Sequence, residues 1–272
     1  MFEMKEKLIL RHPFNQAWQG LDPFVEMDRL DGESYRSVKT RETSRFDFNG
    51  GSYFIKRHYG TTIKEVVKNI TTLKMPVLGA SQEWNAIEHL HTVGVDTMEG
   101  VAFGEKGLNP LTRKSFIITK DLSPVVQLDH FFESEEGKKL SYTKRLAIIE
   151  RVAIMLKKMH QSGLNHRDCY LCHFLLHIPY EKVENLKISV IDLHRAQIRQ
   201  SVPRRWRDKD LIALYYSCLD LQFSNKEICR FMKVYFDKPL KDIFTSEKDL
   251  LEKVQRKVKK IHSHTLKLGV NR

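Results

Sequence analysis

The sequence is poor in cysteine and has no long apolar run. Its 272 residues include four cysteines, too few for the disulfide framework of a secreted scaffold. Its longest apolar stretches, such as 146–156 and 188–193, are interrupted by polar or charged residues, and none approaches the roughly 20 apolar residues that cross a bilayer. No apolar core with a cleavage site follows the N-terminus. We therefore expect a folded, cytosolic protein.

Acidic residues are also in the minority. The chain has 46 Lys and Arg against 34 Asp and Glu, a formal charge of +12. Such a charge favours an anionic partner, which can be a nucleic acid, an acidic protein or a phosphate-bearing membrane, although a generally basic surface explains it equally well. Zinc-finger spacing, aromatic ribonucleoprotein motifs and a basic zipper are all missing from the sequence, so we do not expect nucleic acid as the partner.

Basic residues are concentrated in two segments that also show helical apolar spacing, 56–74 and 249–268. A basic amphipathic helix can lie on an anionic membrane surface. More often such a helix packs on its own domain and its charges stay solvated, so both interpretations remain open. The cations of the second segment are Lys253, Arg256, Lys257, Lys259 and Lys260.

The first half of the chain is predicted to be rich in strands. Asn49 and Gly50 lie between two alternating segments, 45–48 and 52–56, and this pair supplies the positive φ angles of a tight β-hairpin turn. A helix is predicted between a capping residue, Ser81, and a terminating glycine, Gly94. Further strands are expected over 35–40, 101–104 and 115–120.

The second half is predicted to be mainly helical. Apolar spacing indicates a helix over 141–161 that ends before Gly163. A small hairpin is expected from the short apolar runs 174–176 and 188–193, and the pattern is again helical from Asp208 onward. This order predicts an α+β fold in two lobes, a strand-rich N-lobe over 1–122 and a mainly helical C-lobe over 123–272, with the change near Pro124.

One ordered set of charged residues points to chemistry. Lys56 ends the second strand of the hairpin, and Glu83 lies in the first turn of the next helix. A His-Arg-Asp run ending at Asp168 follows the strong helix of the second half, and Asp192 ends a short apolar run. A protein-kinase fold places Lys, Glu, His-Arg-Asp and Asp on these element types in this order.

Phosphoryl transfer needs these residue types, because the transferred group carries several negative charges. Lys56 would contact the nucleotide phosphates while Glu83 holds its ammonium in position. Asp192 would ligate Mg²⁺, which favours carboxylate oxygen, and Asp168 would orient or deprotonate the attacking sugar hydroxyl. His173 lies five residues after Asp168, where protein kinases place a metal-binding Asn.

Each residue alone also has a purely structural explanation. Glu83 could complement a helix dipole, and Lys56 could be a solvated strand residue. Against the first explanation, Glu83 shares a helix face with apolar residues. Asp192 ends a buried strand, where a charge usually needs a cation.

Cys169 and Cys172 form a Cys-x-x-Cys pair, but no second pair lies at a zinc-ribbon distance. We expect them to pack in the loop.

At these residues the chain resembles the lipopolysaccharide core heptose(I) kinases of Gram-negative bacteria, a branch of the protein-kinase-like superfamily. The resemblance covers nearly the whole chain. The extended run that surrounds His166-Arg167-Asp168 is its most specific part, because general kinases do not have it. The matching segments are 22–24, 53–56, 76–80, 83–84, 165–177, 189–197 and 204–211.

The resemblance implies an ATP-dependent phosphotransferase that acts on an alcohol group, the first heptose of the inner core, at the cytoplasmic face of the inner membrane. It implies Asp168 as catalytic acid or base and Asp192 as Mg²⁺ ligand. The implied partners are the nascent core glycolipid, which carries acidic sugars and lipid phosphates, the anionic membrane surface and acyl carrier protein. A kinase-like binding module without catalysis, or a kinase for another sugar or a protein, remains the alternative.

The sequence departs from ordinary protein kinases in three ways. No glycine occurs between Tyr35 and Phe46, so Arg41 or Thr43 is expected to contact phosphates instead of a Gly-rich loop. His173 replaces Asn, although imidazole is a poorer partner for Mg²⁺ than oxygen ligands are. No Ala-Pro-Glu ends an activation segment, which favours a constitutive small-molecule or glycolipid kinase. Asp210 is expected to anchor the catalytic loop in a structural role.

Overall fold

The computed structural model describes residues 6–38, 40–60, 79–109 and 111–267. They fall into two compact units. The first unit contains the described residues up to Thr92 together with Thr97–Ser123 and Asp192–Ala196. The second contains Val93–Asp96, Pro124–Ile191 and the described residues from Gln197 onward. Asp192 therefore packs with the first unit, although it lies far beyond residue 122. Of the first basic segment, 56–74, residues 61–74 lie outside the described residues.

The first unit is built on one six-stranded antiparallel sheet with the strand order β1-β5-β6-β4-β3-β2. The sequence predicts five of these strands. Strand β1 was not predicted, because it is short and mostly exposed and has no buried apolar alternation. The strands are β1 (Glu6–Leu10), β2 (Glu33–Val38), β3 (Arg41–Phe48), β4 (Gly51–Tyr59), β5 (Gly100–Lys106) and β6 (Lys114–Lys120).

The hairpin between β3 and β4 forms as its turn residues predict. Asn49 and Gly50 have φ angles of 46° and 77°, the left-handed pair of a two-residue hairpin turn. Phe48 therefore pairs with Gly51, and the same register sets Thr43 opposite Lys56 and Arg41 opposite His58. Turn chemistry near residue 50 thus fixes which side chains of β3 accompany Lys56.

Three helices of the described residues pack on this sheet: α1 (Phe14–Ala17), α2 (Pro23–Arg29) and α3 (Ser81–Thr92). Phe14, Phe116 and Ile118 are fully buried in a core that α1 and α2 close. On α3, Glu83 shares the buried face with Ile87 and Leu90, as the sequence predicted. This helix ends before Gly94, whose φ of 65° suits a residue without a Cβ atom.

The second unit is mainly helical and has two small antiparallel sheets. One sheet has the order β10-β9-β7 and includes the predicted hairpin, and the other pairs β11 with β8. Its elements are β7 (Val125–Gln127), α4 (Leu128–Glu133), α5 (Glu135–Lys138), α6 (Tyr142–Gln161), β8 (Leu164–Asn165), β9 (Phe174–His177), β10 (Ile188–Val190), β11 (Gln197–Ile198), α7 (Arg204–Ser217), α8 (Asn225–Phe236), α9 (Leu240–Ser246) and α10 (Lys248–Lys267).

Helix α6 begins and ends at its predicted residues. The Ser141 hydroxyl accepts the backbone N–H of Lys144 and so satisfies one of the free donors at the helix start. After the helix, Gly163 adopts a φ of 88°, and a Cβ atom there would lie 1.9 Å from the Arg199 carbonyl oxygen. Only glycine permits this close approach, which brings Arg199, the residue after β11, next to the end of α6.

The second basic segment forms helix α10. Leu250 is buried, and the Lys253 ammonium lies 3.0 Å from a carboxylate oxygen of Asp208. The first half of the helix therefore packs on its own unit, while Arg256 and Lys257 are exposed. Among the helices of the described ranges, none combines the length and apolar character that a membrane crossing requires.

Candidate active site

Lys56 is the centre of the site in the first unit. Its ammonium donates to the Glu83 carboxylate at 2.6 Å and lies 3.5 Å from Asp192 Oδ1. The Lys56 side chain is 24% exposed, whereas Glu83 is only 1% exposed. Because a buried carboxylate is unfavourable without a cation, Lys56 and Glu83 stabilise each other. The structure thus brings together three of the residues that the sequence predicted.

Neighbouring carboxylates keep the Lys56 ammonium in its charged form. Burial works against the ammonium form of Lys56, but the nearby carboxylates of Glu83 and Asp192 outweigh it and raise the pKa of Lys56. The ammonium is therefore kept charged at neutral pH. Glu83 uses one oxygen for Lys56, and its Oε2 is buried with no hydrogen-bond partner among the described residues, so its position depends strongly on the Lys56 contact.

Asp192 adopts a left-handed backbone conformation with a φ of 60°, which is uncommon for a residue with a Cβ atom and concentrates at functional sites. Its Oδ1 also lies 2.6 Å from Nδ1 of His194. His194 belongs to the short 3-10 turn Leu193–Arg195, which packs against α3. His194 was not predicted to belong to the site, although its position two residues after Asp192 in the specific motif was a usable signal.

Arg41 and Thr43 lie on the same face of the sheet as Lys56. Thr43 pairs directly with Lys56 across β3 and β4, and Arg41 pairs with His58. Directly opposed residues of an antiparallel pair project to the same face. The two residues that were expected to replace a Gly-rich loop are therefore neighbours of Lys56 along the sheet.

His58 was not predicted to belong to this site. It is 7% exposed, and its Nε2 has no hydrogen-bond partner in the described part of the chain. Burial, together with the nearby charges of Arg41, Lys56 and His194, lowers the pKa of His58 to about 3. The imidazole is consequently neutral at physiological pH and adds no third positive charge beside Lys56.

The catalytic loop belongs to the second unit and is anchored by Asp210. This residue is fully buried, and its two carboxylate oxygens accept the backbone N–H groups of His166 at 2.7 Å and of Arg167 at 2.9 Å. His160 Nε2 contacts the same carboxylate at 3.2 Å. Arg167 adopts a φ of 73°, so the loop turns sharply just before Asp168. The predicted structural role of Asp210 is confirmed.

His173 is oriented by the backbone of Asp168. Its Nδ1 lies 2.7 Å from the Asp168 carbonyl oxygen, which can only accept, so Nδ1 carries the proton in the neutral ring. Nε2 then carries the lone pair that a metal needs. The ring stacks on His166 with centroids 5.5 Å apart, and His166 Nε2 donates to the Ile191 carbonyl at 3.0 Å. Asp168 and His173 therefore share one rigid loop.

Cys169 and Cys172 of the Cys-x-x-Cys pair have different environments, the first buried and the second half-buried. Cys169 is buried, and burial raises the pKa of its thiol, which keeps it protonated. Among the residues that the structure describes, no group of three His, Cys, Asp or Glu side chains converges as a preformed metal site. Cys169 is therefore a buried packing residue of the loop.

The depressed pKa of His58 makes a pH prediction. In the unfolded state the His58 imidazole binds a proton below pH 6.5, but in the folded state it stays neutral down to about pH 3. The stability that the neutral ring provides is thus present above pH 6.5 and is lost as the pH falls through this window, by about 1.4 kcal/mol per pH unit. We expect His58→Leu to flatten the fall in unfolding free energy between pH 6 and 4.

Chemical unfolding at several pH values measures this difference between the two proteins. The matched control is His12→Leu, since His12 is an exposed residue of the same unit. An unchanged slope in His58→Leu would contradict the account.

Comparison with known proteins agrees with this geometry. Residues 25–235 match the lipopolysaccharide kinase (Kdo/WaaP) family. A protein from Escherichia coli, named lipopolysaccharide core heptose(I) kinase WaaP, is 55% identical over 95% of this chain and 98% of its own length. A protein of the same name from Pseudomonas aeruginosa is 44% identical over 97% of this chain and 98% of its own length.

A solved structure, WaaP in complex with acyl carrier protein, superposes with a TM-score of 0.82 at 42% identity and covers 93% of this chain and 98% of that chain. The predicted α+β, protein-kinase-like fold and the resemblance read from the sequence are both confirmed. The chain belongs to the lipopolysaccharide kinase (Kdo/WaaP) family and is a phosphotransferase of the protein-kinase-like type.

Proposed function

We propose that this chain transfers the γ-phosphate of ATP to the first heptose of the lipopolysaccharide inner core. The observation that carries the proposal is the Lys56–Glu83–Asp192 group, together with the Asp210-anchored loop, in a chain 55% identical to a protein named heptose(I) kinase. A kinase-like module without catalysis would not need to keep all of these charges.

The nucleotide is assigned to the part of the chain over 1–122 together with Asp192. Lys56 supplies a permanent cation to the phosphates, and Glu83 holds it there. Arg41 and Thr43 extend the same face of the sheet and offer a guanidinium and a hydroxyl to phosphate oxygens, which replaces the backbone donors of a Gly-rich loop. His58 stays neutral and leaves this charge balance unchanged.

The residues fit a Mg²⁺ ion that is bound mainly through the nucleotide. Mg²⁺ usually takes one or two carboxylates and completes its shell with phosphate oxygens and waters, and Asp192 offers such a carboxylate. His173 offers Nε2 as a weaker ligand, because its Nδ1 is committed to the Asp168 carbonyl. When bound, Mg²⁺ neutralises charge on the transferred phosphoryl group.

Asp168 acts as the acceptor of the heptose hydroxyl proton. The loop around it, assigned with acceptor binding to 123–272, is fixed by the Asp210 carboxylate and by the hydrogen bond between His173 and the Asp168 carbonyl. Such preorganisation holds the carboxylate in one position while the hydroxyl approaches. General-base assistance of this kind contributes about 10²–10⁴-fold in rate.

Asp168→Asn is expected to lower the rate of phosphate transfer from ATP to dephosphorylated core glycolipid by about 10²–10⁴-fold, with nucleotide affinity and the unfolding midpoint unchanged. Product mass spectrometry measures the transfer and identifies the sugar. The control is Asp242→Asn, an exposed residue of the same unit, which should keep full activity. A wild-type rate of transfer in Asp168→Asn would remove Asp168 from the mechanism. If the unmodified protein phosphorylated only a protein or another sugar, the alternative kinase functions would be favoured.

We further propose an acyl carrier protein as a partner, with its acyl chain in an apolar cavity of the second unit. The family structure solved with that protein and the net charge of +12, which attracts an acidic partner, support this. The cavity has a volume of about 710 Å³, and its lining includes Leu128, Val152, Leu214, Met232 and Val254. Helix α10 contributes to this lining, so the basic helix also covers the cavity.

Affinity for acyl carrier protein is expected to rise with acyl length, because each buried methylene contributes about 0.8 kcal/mol, or about fourfold in affinity. Met232→Trp should abolish this dependence by filling the cavity. Val234→Trp is the control, since Val234 lies on the same helix but outside the cavity lining. Calorimetry with carriers of increasing acyl length tests this, and equal affinity for acylated and unacylated carrier would overturn it.

Finally, we propose that the protein lies peripherally on the anionic inner face of the inner membrane. The exposed cations Arg256 and Lys257 of α10 support this, whereas Lys253 is already paired with Asp208. Changing Arg256, Lys257, Lys259 and Lys260 to Gln should weaken sedimentation with anionic vesicles and flatten its salt dependence. Unchanged sedimentation would leave α10 as a packing element alone.

A further inference from the structure

Helix α7 begins with an arrangement of charge that opposes its own dipole. The N-terminal end of a helix carries partial positive charge and favours acidic residues. The first turn of α7 has no acidic residue and follows Pro203, which provides no side-chain cap. Instead the helix begins with Arg204 and Arg205, and Arg207 follows after Trp206. Local choices that oppose stability in this way concentrate at functional sites.

Two of these arginines are neutralised and two nearby cations are not. Arg204 contacts Glu247, and Arg207 contacts both Glu247 at 2.5 Å and Asp208 at 2.8 Å. By contrast, Arg205 and Lys209 are exposed, and neither forms an ion pair with a carboxylate of the described residues. The helix start therefore retains uncompensated positive charge.

Arg205 and Lys209 lie over the indole ring of Trp206, together with two arginines from other segments. Four cationic groups lie over its indole ring, at centroid distances of 4.3 Å for Lys209, 4.6 Å for Arg205, 5.3 Å for Arg167 and 5.7 Å for Arg199. We call these five residues the Trp206 cluster. The ring attracts each cation through its quadrupole, but it does not cancel the repulsion among Arg199, Arg205 and Lys209, so these three cations attract an anion.

Arg199 is positioned without being neutralised. Its Nη1 donates to the Asn165 side-chain oxygen at 2.5 Å, and its Nη2 donates to the Gln197 side-chain oxygen. Both acceptors are neutral amides, so the guanidinium is held in place and keeps its full charge. This arrangement preorganises a cation for a ligand, because little side-chain freedom remains to be lost on binding.

The Trp206 cluster adjoins the catalytic loop within the second unit. Arg167 immediately precedes Asp168, and Arg199 is held by Asn165, which immediately precedes His166. An acceptor whose hydroxyl meets Asp168 therefore presents its neighbouring groups to the cluster. Guanidinium groups bind carboxylates and phosphates with paired, charge-assisted hydrogen bonds.

We propose that the Trp206 cluster binds an anionic group of the acceptor, a sugar carboxylate or a phosphate close to the phosphorylated sugar, and so selects acidic glycolipids. This inference rests on the proposed function, because it takes the acceptor to be a nascent lipopolysaccharide core. It assigns Arg199, Arg205 and Lys209 to acceptor recognition, separate from the nucleotide residues around Lys56.

The kinetic test uses Arg205→Gln/Lys209→Gln, since both side chains are exposed and their replacement should leave the unfolding midpoint unchanged. We expect KM for the core acceptor to rise by about fivefold or more, while kcat and KM for ATP change less than twofold. The matched control is Lys182→Gln/Lys187→Gln, which removes two exposed positive charges elsewhere in the same unit. An equal rise in the control would show general electrostatic attraction and overturn the proposal.

The chemical source of the anion is tested by changing the acceptor. Carboxyl-reduced and dephosphorylated core acceptors are compared with the native acceptor, for the wild type and for Arg205→Gln/Lys209→Gln. The acceptor that has lost the recognised anion should raise KM for the wild type and should cause no further rise in the double variant. Equal penalties in both proteins for both acceptors would contradict binding at the cluster.

Binding without catalysis separates this inference from the proposed function. The chain has three tryptophans, and Trp18 and Trp84 are buried, at 4% and 3% exposure, so a saccharide without ATP should alter mainly the fluorescence of Trp206. Core oligosaccharide should change the emission of the wild type but not that of Arg205→Gln/Lys209→Gln. This result supports the cluster even if no heptose is phosphorylated. Heptose phosphorylation with wild-type KM and wild-type fluorescence in the variant refutes the inference and leaves the proposed function intact.

Discussion

The ion pair between Lys56 and Glu83 is the interaction on which the rest of the site depends. Glu83 is almost completely buried, and Lys56 is the cation that its carboxylate contacts within the described ranges. Breaking a buried pair by removing one member costs about 3–5 kcal/mol, because the other charge is left uncompensated. The pair therefore fixes helix α3 against strand β4, and it aims the ammonium at Asp192. Catalytic charge and local stability are thus coupled in the same contact.

The second unit uses a buried carboxylate in a comparable way. Asp210 has no exposed surface, and it satisfies two backbone donors of the catalytic loop as well as His160. In both units a carboxylate without access to solvent positions the groups that act. In the proposed mechanism the chemistry belongs to the partly exposed residues Asp168 and Asp192. This division of labour keeps the reacting carboxylates preorganised while substrate can still reach them.

The sequence predicted elements whose causes are local. The Asn49-Gly50 turn, the Ser141 cap and the Gly163 terminus are each determined by one or two residues, and each appears where expected. The ordered set of Lys56, Glu83 and Asp192 was also predictable, since its members lie in separate motifs with fixed element types.

Features that depend on register or on tertiary packing were not predicted. His58 enters the site because the hairpin register pairs it with Arg41, and its buried, neutral state follows from that environment. The Trp206 cluster draws residues from three separate segments onto one ring, which no spacing rule reveals. Strand β1 was not predicted because its sequence has no apolar alternation, and most of its side chains are exposed.

We propose above all that Lys56 and its carboxylate partners form a site for the phosphates of a nucleotide. The most direct measurement is calorimetric affinity for MgATP and for adenosine, in the wild type and in Lys56→Met/Glu83→Gln, which removes both charges and leaves neither one buried alone. We predict a loss of MgATP affinity of about 30-fold or more, as expected for a phosphate contact to a partly buried cation, with adenosine affinity unchanged. Equal affinity of both proteins for MgATP would contradict the claim.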